Sequence, residues 1–268
     1  MAKSRWSPGD QSRLVESPAS NRPEARNALS AEMIEELIAV LEAVRADGTG
    51  GAVRGITFRG RAGMFCAGGD VKGFRAVFQG GGQSADDVAA ASRRGGELFA
   101  LVDSMPQVVV MLVEGAAVAG GLGMVCGGDV VVVTRDARFA LTEVRLGIPP
   151  AQIAPYVVRR IGLAAARRIM LTAAEFDGVG ALELGIADFL ANDGDELETL
   201  EAVIRADVLR CAPAAVAVTK ELAQAALRLD REAMTGLAAR RFAECMLGDE
   251  GREGVAAFVD KRKPGWSP

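Results

Sequence analysis

The chain has 268 residues, half of them hydrophobic, with 31 basic and 35 acidic side chains, a formal charge of −4 and not one histidine. A chain of this length can bury a large core, either as one sizeable domain or as a domain with a helical appendage. Without imidazole, Ser-His-Asp and Cys-His nucleophiles and histidine-ligated metals are excluded, so acid-base chemistry falls to carboxylates, Lys, Tyr or Cys.

The composition also narrows the partners. The basic residues are spread along the chain, so no nucleic-acid partner is expected. Apolar runs are interrupted well before the ~18 residues of a membrane span, and the first residues contain no apolar signal region. We therefore expect no membrane partner and a cytoplasmic location. The four cysteines form no C-x-x-C pair, which argues against a zinc site and a disulfide framework.

The first third of the chain predicts a leader, a capped helix and a strand. Residues 1–20 are polar and are expected to be loose or weakly paired. Residues 21–30 form a turn that feeds a helix with Ser30 as its N-cap. The apolar stripe of this helix, which would cover a sheet, comprises Ile34, Leu37, Leu41 and Val44. Residues 53–58 are predicted to form a strand.

Two predicted strands each lead into a glycine turn. Residues 53–58 precede FCAGGD at 65–70, and residues 108–113 precede AGGLG at 119–123. A short helix to Cys126 and a strand at 130–133 follow the second turn. The repetition predicts a β-β-α coil whose successive turns present bare backbone at the same level. If a helix starts at Gly120, its first N–H groups lack partners and would bind an anion or an oxyanion.

The second glycine turn also permits two other interpretations. A dinucleotide fingerprint would use Gly121 and Gly123 with Glu143 as its distant acid, but Cys126 stands at its third glycine position. The next strand also follows too soon for a crossover helix. The plainer alternative is a glycine-lined helix that packs closely on a sheet.

The rest of the chain is predicted to become helical. Residues 84–104 form a helix with a weak point at Gly95 and Gly96, and three prolines mark a loop after Glu143. A helix at 164–171, a short strand at 185–190 and at least three helices from residue 196 complete the prediction. This helical tail is expected to take part in self-association.

Several motifs together resemble the crotonase (enoyl-CoA hydratase/isomerase) superfamily from residue 21 to the C-terminus. They are NRPEARNAL at 21–29, FCAGGD at 65–70, AGGLG at 119–123 with Asp129, FALTE at 139–143, and Phe258 with KRKP at 261–264. The resemblance implies an α/β fold with a β-β-α spiral core at 1–190 and a C-terminal helical trimerisation region at 191–268. It also implies an acyl-CoA thioester as substrate, no separate cofactor, and a homo-oligomer that is a trimer or a dimer of trimers.

The resemblance assigns roles to residues one by one. The backbone N–H groups of Gly69 and Gly120 would form the oxyanion hole for the thioester carbonyl. The residues that would lie against the substrate and its CoA are Ala25, Arg26, Ala67, Gly68, Asp70, Gly121 and Gly123. Phe258 and Lys261 resemble a pair that a neighbouring subunit lends to the CoA, although an exposed lysine near a C-terminus is equally typical of plain solvation.

The resemblance also identifies one catalytic acid and a missing one. Hydratases of this family use two glutamates; Glu143 stands at the second position, and Gly123 stands at the first. Glu143 lies in an apolar stretch, so we expect burial to raise its pKa. The alternative is an exposed or ion-paired surface glutamate.

A lone acid leaves the reaction open. It suits an isomerase that shifts a double bond, yet residues 140–158 look most like hydratases of glutaconyl-type CoA esters, the methylglutaconyl- and isohexenylglutaconyl-CoA enzymes, which also have glycine at the first position. Hydration is therefore favoured over isomerisation, a thioester hydrolase or decarboxylase, and a non-catalytic CoA-binding protein. A glutaconyl substrate carries a distal carboxylate, and our hypothesis is that one of four side chains after Glu143 binds it, although an arginine here is as easily a surface residue. The four are Arg145, Gln152, Tyr156 and Arg159.

Overall fold

The computed structural model describes residues 14–16, 23–48, 53–70 and 84–268. Its helices are Ala31–Ala46 (α1), Ala85–Ser104 (α2), Gly120–Cys126 (α3), Ala154–Thr172 (α4), Gly178–Glu183 (α5), Gly194–Arg210 (α6), Pro213–Ala225 (α7), Arg231–Leu247 (α8) and Asp249–Val259 (α9). Its strands are Leu14–Glu16 (β1), Gly55–Arg59 (β2), Val108–Val113 (β3), Ala116–Val118 (β4), Val130–Thr134 (β5), Arg138–Ala140 (β6), Phe176–Asp177 (β7) and Phe189–Ala191 (β8). Short 3-10 turns lie at Pro23–Ala25, Arg61–Gly63 and Glu143–Leu146.

The main sheet has five parallel strands in the order β1-β2-β3-β5-β8. Its central strand β3 alternates between two faces, as the two-residue period of a strand requires. Val109, Met111 and Val113 belong to the main core, which α1 and α2 cover. Val110 and Leu112 face a second apolar cluster beneath α6. Since both faces are covered, a run of valines without polar alternation folds here as a strand.

Two aspartates mark successive turns of the same coil. Asp129, just before β5, donates its N–H to Val109 O at 2.8 Å and accepts the Val109 N–H on its carboxylate at 2.7 Å. Asp188, just before β8, makes the same pair of bonds with Val131 at 2.9 and 2.8 Å. Each aspartate thereby provides hydrogen-bond partners for both backbone groups, N–H and C=O, of a valine near the start of the neighbouring parallel strand. The repetition agrees with the predicted β-β-α coil.

A second ladder follows the same coil on the side of the glycine turns. Cys66 bridges to Ala117 in β4, Ala117 pairs with Phe139 in β6, and Phe139 pairs with Phe176 in β7. The last two rings stack with centroids 5.5 Å apart. Strands β4, β6 and β7 are not among the predicted elements, because strands of two or three residues carry too little periodicity to be recognised in a sequence.

The first helices form as predicted. Ser30 caps α1 by accepting the Met33 N–H on its hydroxyl at 3.3 Å. Helix α2 runs unbroken through Gly95 and Gly96. A Cβ at Gly96 would lie 2.4 Å from the side-chain oxygen of Gln152, so this glycine permits a close approach of the loop before α4.

Two later boundaries differ from the prediction. Helix α4 starts at Ala154 rather than near 164, since Pro155 occupies the first helical turn, where its missing N–H costs nothing. A kink at Gly162, with φ of 75°, separates its two parts. The last strand is Phe189–Ala191 rather than 185–190, because residues 178–183 form α5 and Gly185 takes a positive φ after it.

The C-terminal third is helical, as expected. Helix α6 packs on β3, β5 and β8 of the main sheet. The domain boundary predicted after residue 190 falls within β8. Of the predicted leader, Leu14–Glu16 forms β1 and pairs in parallel with β2, while the other residues up to 22 lie outside the described part. Within the described part, no helix is both long and apolar enough to cross a membrane.

Candidate active site

The first glycine turn is joined to the turn that precedes α1. Ala67 donates its N–H to Arg26 O at 3.0 Å, and Leu29 donates to Gly68 O at 2.7 Å. Arg26 has a positive φ of 51°, and Ala25 ends the 3-10 turn just before it. The structure thus brings together Ala25, Arg26 and Ala67, which the sequence assigned to the same ligand.

The two glycine turns lie side by side. Val118 donates its N–H to Cys66 O at 2.9 Å, immediately before both turns. Gly68 has a φ of +92°, and a Cβ there would lie 2.9 Å from both Ala119 Cβ and Val118 O. Gly121 is equally confined, since its Cβ would lie 2.7 Å from Cys66 O. Glycine at 68 and 121 therefore allows the two backbones to touch.

Both turns leave backbone N–H groups without an acceptor in the described part of the chain, and in the second turn these include Gly121 and Leu122 as well as Gly120. Asp70 N–H donates to Leu29 O, and Ala119 N–H donates to Ala140 O. For the N–H groups of Gly69 and Gly120, no protein acceptor is found within the described residues. Gly120 is the first residue of α3, so its N–H has no acceptor within the helix. Two such donors can hold negative charge that develops on an oxygen.

Ala119 holds the second turn in a strained conformation. Its φ of 50° and ψ of −121° lie in a region that residues with a Cβ seldom adopt. Such strain costs about 1–3 kcal/mol and persists only where the surroundings impose it, often at functional sites. Here the hydrogen bond from Ala119 N–H to Ala140 O, at 2.8 Å, holds the residue in place.

Glu143 begins a 3-10 turn three residues beyond Ala140. Its side chain is half-buried, and its Oε2 atom is fully buried without a hydrogen-bond partner in the described part of the chain. Burial raises the pKa of this carboxyl, because the charged form loses its hydration. The described residues also provide no ion pair to Glu143. The alternative of a paired surface glutamate is therefore not what the structure shows.

Gly123, at the position of the missing acid, is buried in α3 beneath Ile153. A Cβ at Gly123 would lie 2.1 Å from Ile153 Cγ2 and 2.5 Å from Ile153 Cβ. The sequence analysis did not identify Ile153. Three prolines around it marked a loop, and nothing in the pattern indicated which residue of that loop covers the helix.

Apolar side chains lie beside the second turn. A Cβ at Gly120 would be 3.2 Å from Leu29 Cδ1 and 3.6 Å from Phe99 Cζ. The ring of Phe99 in turn lies 6.3 Å from that of Tyr156. Leu29 and Phe99 therefore form an apolar wall beside Gly120, with the Tyr156 ring next to Phe99. In such a setting a hydrogen bond to charge is stronger than in water.

Three of the four residues considered for a distal carboxylate already have partners. Arg145 pairs with Glu175 at 2.8 Å, Gln152 donates to Ser92 at 3.1 Å, and Arg159 pairs with Asp103. The Arg159 guanidinium lies over the Tyr156 ring, with Arg159 Cζ 5.4 Å from the ring centroid. Within the described residues no hydrogen bond to the Tyr156 hydroxyl is found.

Phe258 and Lys261 lie on the subunit surface at the end of α9. Phe258 is 86% exposed, and Lys261 adopts a positive φ of 54° just after the helix. Arg262 holds this turn by pairing with Glu253 at 2.6 Å. Both side chains are thus exposed on the surface of this chain.

The spiral core and the C-terminal helices are those of the crotonase fold, as solved structures confirm. Pseudomonas aeruginosa AtuE is 47% identical, with a TM-score of 0.88 over 92% of this chain and 94% of that one. An enoyl-CoA hydratase/isomerase from Marinobacter aquaeolei is 37% identical, with a TM-score of 0.87 over 92% and 94%. An enoyl-CoA hydratase from Shewanella pealeana is 32% identical, with a TM-score of 0.84 over 92% and 90%.

The sequence itself matches the enoyl-CoA hydratase/isomerase family over residues 19–268. The chain belongs to this family and is an enzyme of it, as its motifs predicted.

Proposed function

We propose that the chain is a hydro-lyase that adds water to the double bond of a 2-enoyl-CoA thioester. The observation that carries this proposal is the Glu143 carboxyl, whose Oε2 is buried without a partner in the described residues beside the strand that holds Ala119. A carboxyl with a raised pKa suits proton exchange near neutral pH. Relatives that carry the name enoyl-CoA hydratase support the same reaction.

In this proposal the N–H groups of Gly69 and Gly120 bind the thioester oxygen. Their lack of an acceptor among the described residues supports the role, as does the strained Ala119 that aims the second turn. Loss of one such donor typically costs about 10²–10³ in rate. Glycine at both positions lets two backbones approach one oxygen.

The reaction balances with one carboxyl. The Glu143 carboxylate takes a proton from water as the water oxygen bonds to the β-carbon. The electron pair of the carbon–carbon double bond then moves through the α-carbon to the thioester oxygen, giving an enolate that the two amides stabilise. Glu143 returns its proton to the α-carbon as the enolate collapses, so the carboxyl ends in its starting state.

Isomerisation is the second candidate, because the site holds Ile153 where a second acid would stand. One carboxyl suffices to move a proton from the γ-carbon to the α-carbon. Incubation with paired 2-enoyl- and 3-enoyl-CoA esters separates the two reactions. Hydration adds the mass of water and removes the conjugated absorbance, whereas isomerisation leaves the mass unchanged. Release of free CoA thiol would instead identify a thioester hydrolase, and loss of CO₂ a decarboxylase.

A branched glutaconyl-CoA is the substrate class we propose. Its distal carboxylate needs a donor. The Tyr156 hydroxyl, beside Phe99, is our candidate because no hydrogen bond to it is found within the described residues, whereas Arg145, Gln152 and Arg159 already have partners there. Comparing kcat/KM for a glutaconyl-CoA and a straight-chain enoyl-CoA tests this. Equal values would remove the glutaconyl proposal, and Tyr156→Phe should lower only the glutaconyl value, by about 10-fold for one lost hydrogen bond to a charge.

Self-association through the C-terminal helices completes the proposal. Helices α8 and α9 expose Phe242 (71%), Leu247 (68%) and Phe258 (86%), more apolar surface than a monomer usually leaves in water. A second copy of the chain, in a trimer or a dimer of trimers, would cover it and receive Phe258 and Lys261 at its CoA. Sedimentation equilibrium gives the subunit number, and a monomer that is fully active would overturn this part.

A further inference from the structure

The contact between Gly123 and Ile153 is too close for any side chain at position 123. A Cβ there would lie 2.1 Å from Ile153 Cγ2 and 2.5 Å from Ile153 Cβ. Nonbonded carbon atoms meet at about 3.5–4.0 Å. An acid at position 123 would therefore have to displace Ile153, whatever rotamer the acid adopted.

Ile153 has little freedom to yield. It is 3% exposed, and its carbonyl accepts N–H groups from Tyr156 at 3.1 Å and Val157 at 3.2 Å at the start of α4. Ala154 N–H, next along the chain, donates to Pro150 O at 3.0 Å. Rotation about χ1 would move Cγ2 but not Cβ, whose position the backbone fixes. The 2.5 Å contact is thus a property of the loop.

The same loop carries Glu143. Ile148 donates its N–H to Glu143 O at 3.2 Å, and residues 149–153 continue to the start of α4. Glu143 and Ile153 therefore reach the site on one segment, which delivers one carboxyl and fills the place of the other.

We infer that Ile153 is a specificity-determining residue that closes the first-acid position and commits this enzyme to a single carboxyl. The inference rests on the proposed function, in which Glu143 exchanges the protons. Its consequence is that a second acid can enter the site only if positions 123 and 153 change together. Gly123→Glu alone is then expected to damage the site rather than improve it.

Thermal unfolding tests the steric part without any need for turnover. Gly123→Ala should lower Tm by about 2–10 °C, as overpacking does in a chain of this size. Ile153→Gly in the same chain should remove most of that loss, measured against Ile153→Gly alone. Ile153→Ala should remove less, because its Cβ remains. The inference would be overturned if Gly123→Ala had the same Tm as the parent. It would also be overturned if Gly123→Ala lowered Tm equally in the parent, in Ile153→Gly and in Ile153→Ala.

Gly128→Ala is the matched control. A Cβ at Gly128 would lie 2.6 Å from Met111 Cγ, a comparable overlap with a different partner. Its loss in Tm should be the same with Ile153 and with Ile153→Gly. If Ile153→Gly also reduced the Tm loss of Gly128→Ala, its effect would not be specific to position 123. The inferred coupling between Gly123 and Ile153 would then be refuted.

Turnover of a straight-chain 2-enoyl-CoA tests the functional part. The pair Gly123→Glu with Ile153→Gly should hydrate it at least about 10-fold faster than Ile153→Gly alone. The role of Ile153 would be overturned if the double variant folded but hydrated the substrate no faster than Ile153→Gly. It would also be overturned if Gly123→Glu alone gave the same increase in rate. If the parent and every variant hydrate no enoyl-CoA, the proposed function fails instead, while the Tm comparison still decides whether Ile153 closes position 123.

Discussion

In the proposed mechanism, replacing Glu143 by Gln removes the proton carrier and almost nothing else. The glutamine side chain has nearly the shape of the glutamate side chain, and the backbone N–H groups of Gly69 and Gly120 remain in place. General acid-base catalysis typically contributes about 10²–10⁴ in rate. We expect a loss near the upper end, about 5 kcal/mol of transition-state stabilisation, because Gly123 offers no second acid and the chain contains no histidine. KM should change little, since the thioester is held by backbone.

The pH dependence of the same variant follows from burial. Burial raises the pKa of Glu143, so the folded protein binds this proton more tightly than the unfolded chain does. The carboxyl therefore costs stability as pH rises from its ordinary pKa through its raised one. Glu143→Gln should be at least as stable as the parent at pH 8 and lose this advantage at low pH. In the parent, kcat/KM should fall at low pH with an apparent pKa above the usual carboxylate range. In Glu143→Gln this fall should be absent.

The assay follows loss of the conjugated enoyl-thioester absorbance, with Tm measured on the same samples. Glu175→Gln is the matched control, because Glu175 forms an exposed ion pair with Arg145, which lies two residues after Glu143 in the same turn. That pair is worth at most about 1 kcal/mol, and kcat should stay within about twofold of the parent. If Glu143→Gln keeps more than a tenth of the parent rate, or if its lost rate comes with a lowered Tm, the catalytic assignment is wrong.

Three further predictions concern the surroundings of the site. Asn27, buried at φ 53°, donates to two carbonyls at 2.6 and 3.1 Å. Asn27→Ala should therefore cost about 2–4 kcal/mol in urea unfolding, and Asn27→Gly less, because glycine tolerates the positive φ. Lys220→Met breaks a 2.6 Å contact with Asp129 and should cost about 1–3 kcal/mol; an unchanged urea midpoint would show that the pair contributes nothing. Phe258→Ala should leave Tm and kcat unchanged and raise KM about 10-fold if a neighbour uses this ring; an unchanged KM in the assembled protein would contradict that role.

Much of the fold could be predicted from local sequence because local chemistry determines it. Ser30 caps a helix with its own hydroxyl, and the valine run of β3 has no other way to bury both faces. These two signals lie within a few residues of the structure that they specify. The two glycine turns were visible as adjacent glycines, although the atoms that require glycine at 68 and 121 belong to Ala119 and Cys66, more than 50 positions along the chain.

What the sequence could not reveal depends on contacts between distant segments. Ile153 covers Gly123 from thirty residues away, and Arg145 is taken by Glu175 at the same separation. Neither pairing leaves a periodic or compositional trace. The glycine at position 123 showed that an acid was missing, but only the packing shows that its space is filled.

The filled space decides how the missing acid should be understood. A simple loss of a glutamate would leave a cavity, and a cavity beside a polar site can hold water that a nearby group orients. At Gly123 the volume belongs instead to a buried, β-branched side chain whose backbone starts α4. In the proposed mechanism the loop from Glu143 to Ile153 therefore acts as one unit: Glu143 supplies the proton carrier, and Ile153 occupies the space of a second acid at position 123. A substitution at Gly123 that leaves this loop unchanged addresses only half of the arrangement.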